Sequence, residues 1–580
     1  MILWAIVTTR RGWAAAAALG VPFGLGLALA ACSSTTVVDD SAAGCIDCAE
    51  SPRAPQSGTL TDGGSATSDG ATTTTVTDLA VQTDKPSVTL REGSSIDVLV
   101  TVARPVDVTE ALTLTVSGLV PGVLAATGTV PSGANQASVR ISAAKGVQQG
   151  TSSFDVVVQG KSKSASAHVG LTIVGAPGVF DTTFGPASGG GRSFAKITDM
   201  TVSNLGVQAD GHIVLGGTSG SSAHDFVAVR FDAAGATDDA FGTSGKAVHD
   251  FGGDEYAQDM IVLRDGKILL GGYTYSPSAY GMAFARFDGG GAPDLGFGGS
   301  NTGRLVVAPT QYQIVYGLRE QPDGKILGAG IHFNGTDHDF AVTRLSAQGV
   351  LDTAFGSSGF ATIQMGSHDY CLGVSVDAQG RVVATGERFN GAGYDLVSAR
   401  FTPAGALDTT TFGSPAGWVN TVAGGSGYAY AWTTLVAPDG KILVGGAVPG
   451  SGGHDFAILR YKEDGTLDPT FGSGGKALLD VGPWDRVYRM LLDPQGRIVF
   501  VGHSAASPTV DASAKAVVGR LLPNGEPDGS FGSAGRMVYK PGAAGEVGIG
   551  VASLGDGRIL VGGYQIDSGK LTPWVARLWN

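Results

Sequence analysis

The chain is poor in cysteine and in positive charge. Its 580 residues include four cysteines, and its 38 Lys and Arg are outnumbered by 51 Asp and Glu, for a formal net charge of −13. So few cysteines cannot hold together a disulfide-based scaffold. An acidic chain also lacks the basic surface that nucleic acids need, so no nucleic-acid partner is expected.

Motifs of common catalytic and nucleotide-binding sites are missing as well. The sequence contains no Gly-x-Ser-x-Gly elbow, Walker loop, His-Glu-x-x-His motif or EF-hand loop. The C-terminal region, residues 178–580, has no long apolar pattern with a period of 3.6 residues, which argues against helices there. We therefore predict an all-β protein with no catalytic residues, no cofactor and no metal.

Glycine, in contrast, is abundant, and much of it recurs at a spacing of about 57 residues. A turn of the form Asp-Gly-Lys-Ile is followed six residues later by a second glycine. Asp-Gly between apolar runs favours a hairpin in which both turn residues have positive φ. Each unit is predicted to hold four short strands. The seven turn glycines are Gly211, Gly266, Gly324, Gly380, Gly440, Gly496 and Gly557.

Four-stranded units repeated in this way predict a seven-bladed β-propeller over residues 178–580, with a β-solenoid as the alternative. In six units an Arg at the end of the last strand precedes an Asp by eight residues, as in Arg230 and Asp238. Arg577 has no downstream Asp, but Asp181 lies in a copy of the missing segment before the first unit. We therefore predict that residues 178–186 complete the last blade, and that these Arg–Asp pairs are structural.

Three sub-motifs carry a family resemblance. The runs Leu467–Lys476, Gln321–Ile326 and Asp455–Tyr461 resemble the delta-60 repeat family, and the likeness covers residues 178–580. It implies a β-propeller in a bacterial surface or secreted protein and brings no established activity. Two units depart from the family's Asp-Gly turn, with Gln379-Gly380 and Gln495-Gly496 in its place.

Residues 1–31 have the features of an export signal. Arg10 and Arg11 form a positive start, and the apolar stretch that follows ends at Leu29-Ala30-Ala31-Cys32. This ending is similar to a bacterial lipobox and predicts a lipid-modified Cys32 as the membrane anchor. Because Ser33 follows rather than Asp, we expect export across the inner membrane to the outer membrane or cell surface. Ordinary secretion is the alternative, and a twin-arginine signal is only loosely resembled.

Two further regions separate the signal from the repeats. Residues 32–77 consist mostly of small and polar residues and are predicted to be a disordered tether; Cys45 and Cys48 within it could form a local disulfide. Residues 78–175 contain six or seven alternating β-rich runs, which predict a two-sheet sandwich. This segment resembles bacterial immunoglobulin-like spacer domains, so an immunoglobulin-like β-sandwich is expected to precede the propeller.

Large aromatic residues cluster before the turns of the middle units. Tyr256, Tyr370 and Tyr430 each lie ten residues before a turn glycine, and Tyr312 and Trp484 lie nearby. Equivalent positions of a propeller share one face, so these residues are predicted to form an aromatic arc that contacts a sugar or peptide. Packing between blades is the alternative interpretation.

A second recurring feature involves histidine. His224, His338 and His454 occupy one repeat position in alternate units. They could bind a metal only if that position faced a common channel, so a metal site is not expected.

Three functions remain open from the sequence. The first is a monomeric, non-enzymatic lipoprotein whose propeller binds or scaffolds an extracellular protein or glycan. The second is a propeller hydrolase or lyase acting on polysaccharide, for which His368-Asp369 is the strongest titratable pair. The third is a structural envelope component without a ligand. Fold alone does not choose among them.

Overall fold

A computed structural model describes residues 77–580 apart from 221–222, 277–278, 308–311, 367, 422–426 and 451. Cys32 and nearly all of the predicted tether therefore lie outside the described residues. The described chain falls into two compact units that divide between Gly175 and Ala176. Both consist of β-strands, so the predicted all-β class is confirmed. None of the described residues belongs to a helix long and apolar enough to cross a membrane.

The unit that ends at Gly175 has two sheets. One has the strand order β1-β3-β7-β5 and the other β2-β9-β8-β4-β6. All pairs are antiparallel except β2 with β9, and strands of both sheets bury alternate residues in one apolar core. The nine strands are β1 Ala80–Thr83, β2 Ser87–Arg91, β3 Ser95–Ala103, β4 Leu112–Ser117, β5 Val123–Ala125, β6 Gly128–Val130, β7 Gln136–Ala143, β8 Gly150–Gln159 and β9 Ser164–Val174.

The unit that starts at Ala176 contains repeated four-stranded antiparallel sheets, numbered here 1 to 7 along the chain. Sheets 5 and 6 are joined by a single parallel bridge between His454 and Trp484. In order of sheet, the strands are β11 Met200–Val207, β12 Ile213–Ser219, β13 Asp225–Phe231 and β14 Lys246–His249; β15 Asp254–Val262, β16 Ile268–Ser276, β17 Ala279–Phe287 and β18 Arg304–Val307; β19 Ile314–Glu320, β20 Ile326–Phe333, β21 His338–Leu345 and β22 Phe360–Ile363; β23 Tyr370–Val376, β24 Val382–Phe389, β25 Tyr394–Phe401 and β26 Trp418–Thr421; β27 Tyr430–Val436, β28 Ile442–Pro449, β29 His454–Tyr461 and β30 Lys476–Leu479; β31 Trp484–Leu492, β32 Ile498–Ala505, β33 Lys515–Leu521 and β34 Arg536–Tyr539; and β35 Gly545–Leu554, β36 Arg558–Asp567 and β37 Lys570–Trp579, which pair with β10 Arg192–Phe194. Short helical turns occur at Ala187–Gly189 and Gly413–Gly417.

The repeated turn glycines lie between the first and second strands of each sheet, but the turn geometry differs from the predicted one. In the turn between β15 and β16, only Gly266 has a positive φ, of 82°. The amide of Gly266 donates to the carbonyl of Leu263, and Asp265 Oδ1 accepts the amide of Lys267. This is a three-residue loop closed by a left-handed glycine, which needs one positive φ rather than two.

The same loop explains why Gln-Gly is tolerated in two units. In sheet 4, Asp377 lies two residues before Gln379, and its Oδ1 accepts the amides of Gln379 and Arg381 at 3.0 and 2.8 Å. Asp493 does the same for Gln495 and Arg497 in sheet 6. The carboxylate that braces the turn has moved by two positions, so the turn needs an acidic residue nearby but not at one fixed place.

The fourth strand of each sheet begins after the Phe-Gly motif, so a structural sheet spans the boundary of two sequence units. For sheet 7 the fourth strand is β10, whose residues Arg192–Phe194 pair with Trp574–Ala576 of β37. Phe180 also forms a bridge with Leu578. The segment that completes the last sheet is thus longer than the predicted 178–186, because the outer strand itself lies at 192–194.

Apolar clusters fill the space between successive sheets, and the phenylalanines of the Phe-Gly motifs are fully buried in them. The first strands β11, β15, β19, β23, β27, β31 and β35 contact one another in chain order, and β35 contacts β11. Each of these strands has a β-bulge at the same position. Bulged residues such as Tyr316, Leu372 and Trp432 lie in the cluster that includes residues of every sheet.

A buried ion pair lies immediately after two of these bulges. Arg489 of β31 donates to Asp259 of β15 at 2.7 Å, and both side chains are at most 1% exposed. Asp259 also accepts the side-chain amide of Asn204 in β11 and the backbone amide of Leu318 in β19. Four first strands are therefore joined through one carboxylate.

Candidate functional site

The predicted aromatic residues lie at the end of the sheets opposite the Asp-Gly turns. Tyr256 is near the start of β15, which runs toward the turn at Gly266. Tyr273 lies near the end of β16 and Tyr280 near the start of β17, so all three reach the same end. Strand direction alone therefore brings aromatic residues of different strands together at one face.

Ring contacts connect this face from sheet 1 to sheet 6. Neighbouring rings have centroids 4.7–6.5 Å apart, a range in which aromatic pairs attract one another. We call this path the aromatic arc. It contains, in order, His224, Tyr256, Tyr273, Tyr280, Tyr312, Phe333, His338, Tyr370, Tyr394, Tyr428, Tyr430, His454 and Trp484.

The arc divides into a buried and an accessible part. Tyr370 and Tyr430 are only 7% and 6% exposed and belong to the core, which is the packing role weighed as the alternative. Tyr256, Tyr312 and Trp484 are partly exposed. Burial raises the pKa of Tyr256 far above its ordinary value, so this phenol stays neutral and can donate a hydrogen bond at any physiological pH. Of the five predicted aromatic residues, these three are the ones that solvent reaches most readily.

The three repeated histidines belong to the arc but lie apart from one another. His224 stacks on Tyr256, His338 contacts Tyr370, and His454 contacts Trp484, so each packs against the first strand of the following sheet. Burial lowers the pKa of His338 to about 4, which makes it a neutral ring. Among the described residues, no group with metal-ligand spacing includes these histidines.

Two groups of three carboxylates do approach metal-ligand spacing. Asp225, Asp250 and Glu255 bring ligand oxygens within 4.8 Å of one another, as do the equivalent Asp455, Asp480 and Asp485. The Glu255 carboxylate accepts the amides of Phe251 and Gly253 and the hydroxyl of Thr274. Its oxygens are thus already used to shape the loop before β15, which accounts for this group without an ion.

His368-Asp369, the pair considered for an enzyme, has a similar local role. Asp369 is fully buried, and its Oδ2 accepts the amide of Met365 at 2.8 Å. Burial raises the pKa of Asp369 to about 6. His368 has a positive φ of 59° and its ring lies 5.4 Å from that of His338. The carboxylate shapes the loop before β23.

Two charged residues at this end were missed by the sequence analysis. Arg486 occupies the position in β31 that Tyr256 occupies in β15, and its guanidinium lies 5.9 Å from the Trp432 ring. Glu387 of β24 is paired across the strands with Tyr370. The sequence could have indicated both residues. When the seven units are aligned with one another, each of these positions has a charged residue in one unit and an uncharged one in most others.

The opposite end of the sheets is built from the predicted Arg–Asp pairs, which recur in every sheet. Arg230 donates to Asp238 at 2.6 Å, and Arg577 donates to Asp181 at 2.7 Å. In each sheet the guanidinium carbon also lies 4.3–5.0 Å from the centroid of the phenylalanine ring of a Phe-Gly motif.

Each of these arginines additionally reaches the following sheet. Arg230 Nη1 donates to the Gly289 carbonyl at the end of sheet 2, and Arg577 Nη1 donates to the Ala233 carbonyl of sheet 1. The acceptors for Arg286, Arg344, Arg400, Arg460 and Arg520 are Ala347, Pro403, Glu463, Pro523 and the side chain of Asn580. The arginines therefore join neighbouring sheets as well as bracing a turn, which explains their regular spacing.

Comparison with known proteins supports the type of repeat. Residues 208–241, 263–297, 321–355 and 437–471 match the family model described as "Domain of unknown function (DUF5122) beta-propeller". Each match starts shortly before a turn and ends at the phenylalanine of a Phe-Gly motif. The chain thus contains repeats of β-propeller type. No curated protein matches it.

Similar solved structures are remote. Titin domains Z1Z2 in complex with telethonin show 14% identity over 36% of this chain and 93% of that chain, with a TM-score of 0.13. A family 107 endo-fucoidan hydrolase shows 10% identity over 64% and 40%, with a TM-score of 0.11. Domains 4–9 of the surface layer protein SbsC show 10% identity over 86% and 82%, with a TM-score of 0.13.

Proposed function

We propose that this protein is a non-enzymatic cell-envelope lipoprotein whose propeller binds an extracellular glycan or protein through the aromatic arc. The observation that carries the proposal is the contrast between the two ends of the sheets. The turn end repeats the same Arg–Asp–Phe contacts in every sheet, whereas the arc end varies and leaves Tyr256, Tyr312 and Trp484 accessible. Accessible aromatic side chains are typical of binding surfaces.

The architecture proposed for this module is a closed propeller of seven blades. The cyclic contacts of the first strands and the pairing of β10 with β37 support it. Closure removes the exposed edge strands that an open array would present. For residues 78–175 we propose an immunoglobulin-like sandwich acting as a spacer, supported by its four-stranded and five-stranded sheets around one core.

Membrane attachment is proposed through Cys32, on the strength of the small residues that precede it in Leu29-Ala30-Ala31-Cys32. Replacing Cys32 with serine should leave the protein without a lipid and move it from the detergent phase to the aqueous phase in a detergent-partitioning assay. Cys45→Ser is the matched control and should still enter the detergent phase. Retention of Cys32→Ser in the detergent phase would disprove the anchor.

Ligand binding is tested by screening the full chain against envelope glycans and envelope proteins, then measuring affinity by calorimetry. Tyr256→Ala and Trp484→Ala should each weaken the ligand by about 1 kcal/mol or more, roughly a fivefold rise in Kd, as expected for an aromatic hot spot. Trp579→Ala, at the turn end of β37, should leave the affinity unchanged. Equal effects at both ends, or none, would place the binding surface outside the arc.

A further inference from the structure

Glu387 is a buried carboxylate in the middle of the arc. It lies near the end of β24 and is paired across the strands with Tyr370 of β23. Glu387 is 6% exposed, and no described group hydrogen-bonds its Oε2 atom. A charged group withdrawn from water in this way is costly unless a partner compensates it.

The repeat architecture does not require an acid at this place. The residues paired with the first strand at the same position of the other sheets are Thr218, Tyr273, Ile331, Ala447, His503 and Tyr564. All six sheets form with a neutral or basic residue there, so Glu387 is a feature of sheet 4 alone. A destabilising side chain with no role in the repeat points to a function.

The surroundings of Glu387 are phenol rings. Burial raises the pKa of Tyr370, Tyr394 and Tyr430, and the nearby Glu387 carboxylate adds to the rise at each of them. The Tyr370 and Tyr394 ring centroids are 5.9 Å apart. The faces of aromatic rings attract cations, and a carboxylate adds a full opposite charge. Burial also raises the pKa of Glu387 itself, with no cationic partner opposing the rise.

We propose that Glu387, with Tyr370, Tyr394 and Tyr430, recognises an organic ammonium group carried by the ligand of the aromatic arc. This inference rests on the proposed function, because it assumes that the arc is the ligand-binding face. A calcium ion fits less well, since it needs six to eight oxygen ligands. Among the described residues the carboxylates that act on these rings are Glu387 and Asp369, and Asp369 Oδ2 already accepts the amide of Met365. A precedent for a cation at this end of the molecule is Arg486, which already lies over Trp432.

The test compares choline with 3,3-dimethylbutanol, a neutral compound of the same shape, by calorimetry on the full chain at pH 8. Choline should bind and the neutral compound should not, because the positive charge is what Glu387 and the rings select. Glu387→Gln should weaken choline by at least about tenfold. Glu526→Gln removes the same charge from an exposed position and should leave choline affinity unchanged.

Equal binding of the two compounds, no binding of choline, or full choline affinity in Glu387→Gln would each overturn the inference. If Glu387→Gln does not fold, Glu387→Asp, which withdraws the carboxylate by one methylene, replaces it in the same comparison. Failure here is distinguishable from failure of the proposed function. A glycan or protein ligand that depends on Tyr256 and Trp484 while choline does not bind would retain the binding surface and remove only the ammonium site.

Discussion

Replacing Asp259 with alanine is expected to lower the free energy of unfolding by about 3–5 kcal/mol, the usual cost of breaking a buried ion pair on one side. The variant leaves the Arg489 guanidinium, 1% exposed, without its carboxylate. It also removes the acceptor for the Leu318 amide and for the Asn204 side chain. Urea denaturation followed by tryptophan fluorescence is a suitable measurement, since five of the seven tryptophans lie in the repeat unit.

A double-mutant cycle separates the ion pair from the other contacts of Asp259. Arg489→Met combined with Asp259→Ala should cost clearly less than the sum of the two single variants, because the double variant buries no unpaired charge. Asp239→Ala, which breaks the exposed pair with Lys196, should stay within about 0.5 kcal/mol of the parent. An Asp259→Ala variant as stable as Asp239→Ala would show that the central pair does not hold the first strands together.

The features that were predictable from the sequence are those with a short, repeated spacing. Each Asp-Gly turn is local, and each Arg pairs with an Asp eight residues away in six of the sheets. Even Arg577 and Asp181, which are far apart in the chain, could be matched because the other six pairs define the pattern. Because the contact occurs seven times, comparing the units of this one sequence reveals it, as comparing related sequences would.

The unpredicted features are those that occur once. Asp259 and Arg489 come from sheets 2 and 6, and neither their spacing nor their residue types recur in other units. The pairing of Glu387 with Tyr370 is likewise confined to sheet 4. The position of the fourth strand was missed for another reason: strands of three or four residues such as β10 carry too little apolar alternation to stand out in a sequence.

Repeated and variable residues lie at opposite ends of the sheets. Contacts at the turn end join each sheet to the next and are the same throughout. Residues at the arc end change from sheet to sheet, from Thr201 to Tyr256 to Arg486 at equivalent positions. A surface free to vary within a fixed frame is where a repeat protein can acquire selectivity.

Asp181→Ala should be among the most destabilising single changes in the repeat unit, again about 3–5 kcal/mol. Asp181 is fully buried and accepts from both Arg577 and Arg558. Its loss leaves the Arg577 guanidinium without a carboxylate, whereas Arg558 keeps its contact with Asp556, and it weakens the attachment of the segment that carries β10. The matched control is Asp238→Ala, the same position in sheet 1. Its side chain is 16% exposed and its partner Arg230 lies in the same sheet, so a smaller loss of about 2 kcal/mol is expected.

Acid titration provides an independent measurement of the same contact. Contacts with Thr183, Arg558 and Arg577 overcome the effect of burial and hold the folded pKa of Asp181 below its ordinary value of 3.8. A lowered folded pKa means that the carboxylate stabilises the fold above the unfolded pKa and loses this effect as the pH falls through the folded pKa. The stability difference between the parent and Asp181→Ala should therefore be constant near neutral pH and shrink below about pH 4. Equal losses for Asp181→Ala and Asp238→Ala, with no change of the difference in acid, would mean that the N-terminal segment does not close the ring of sheets through Asp181.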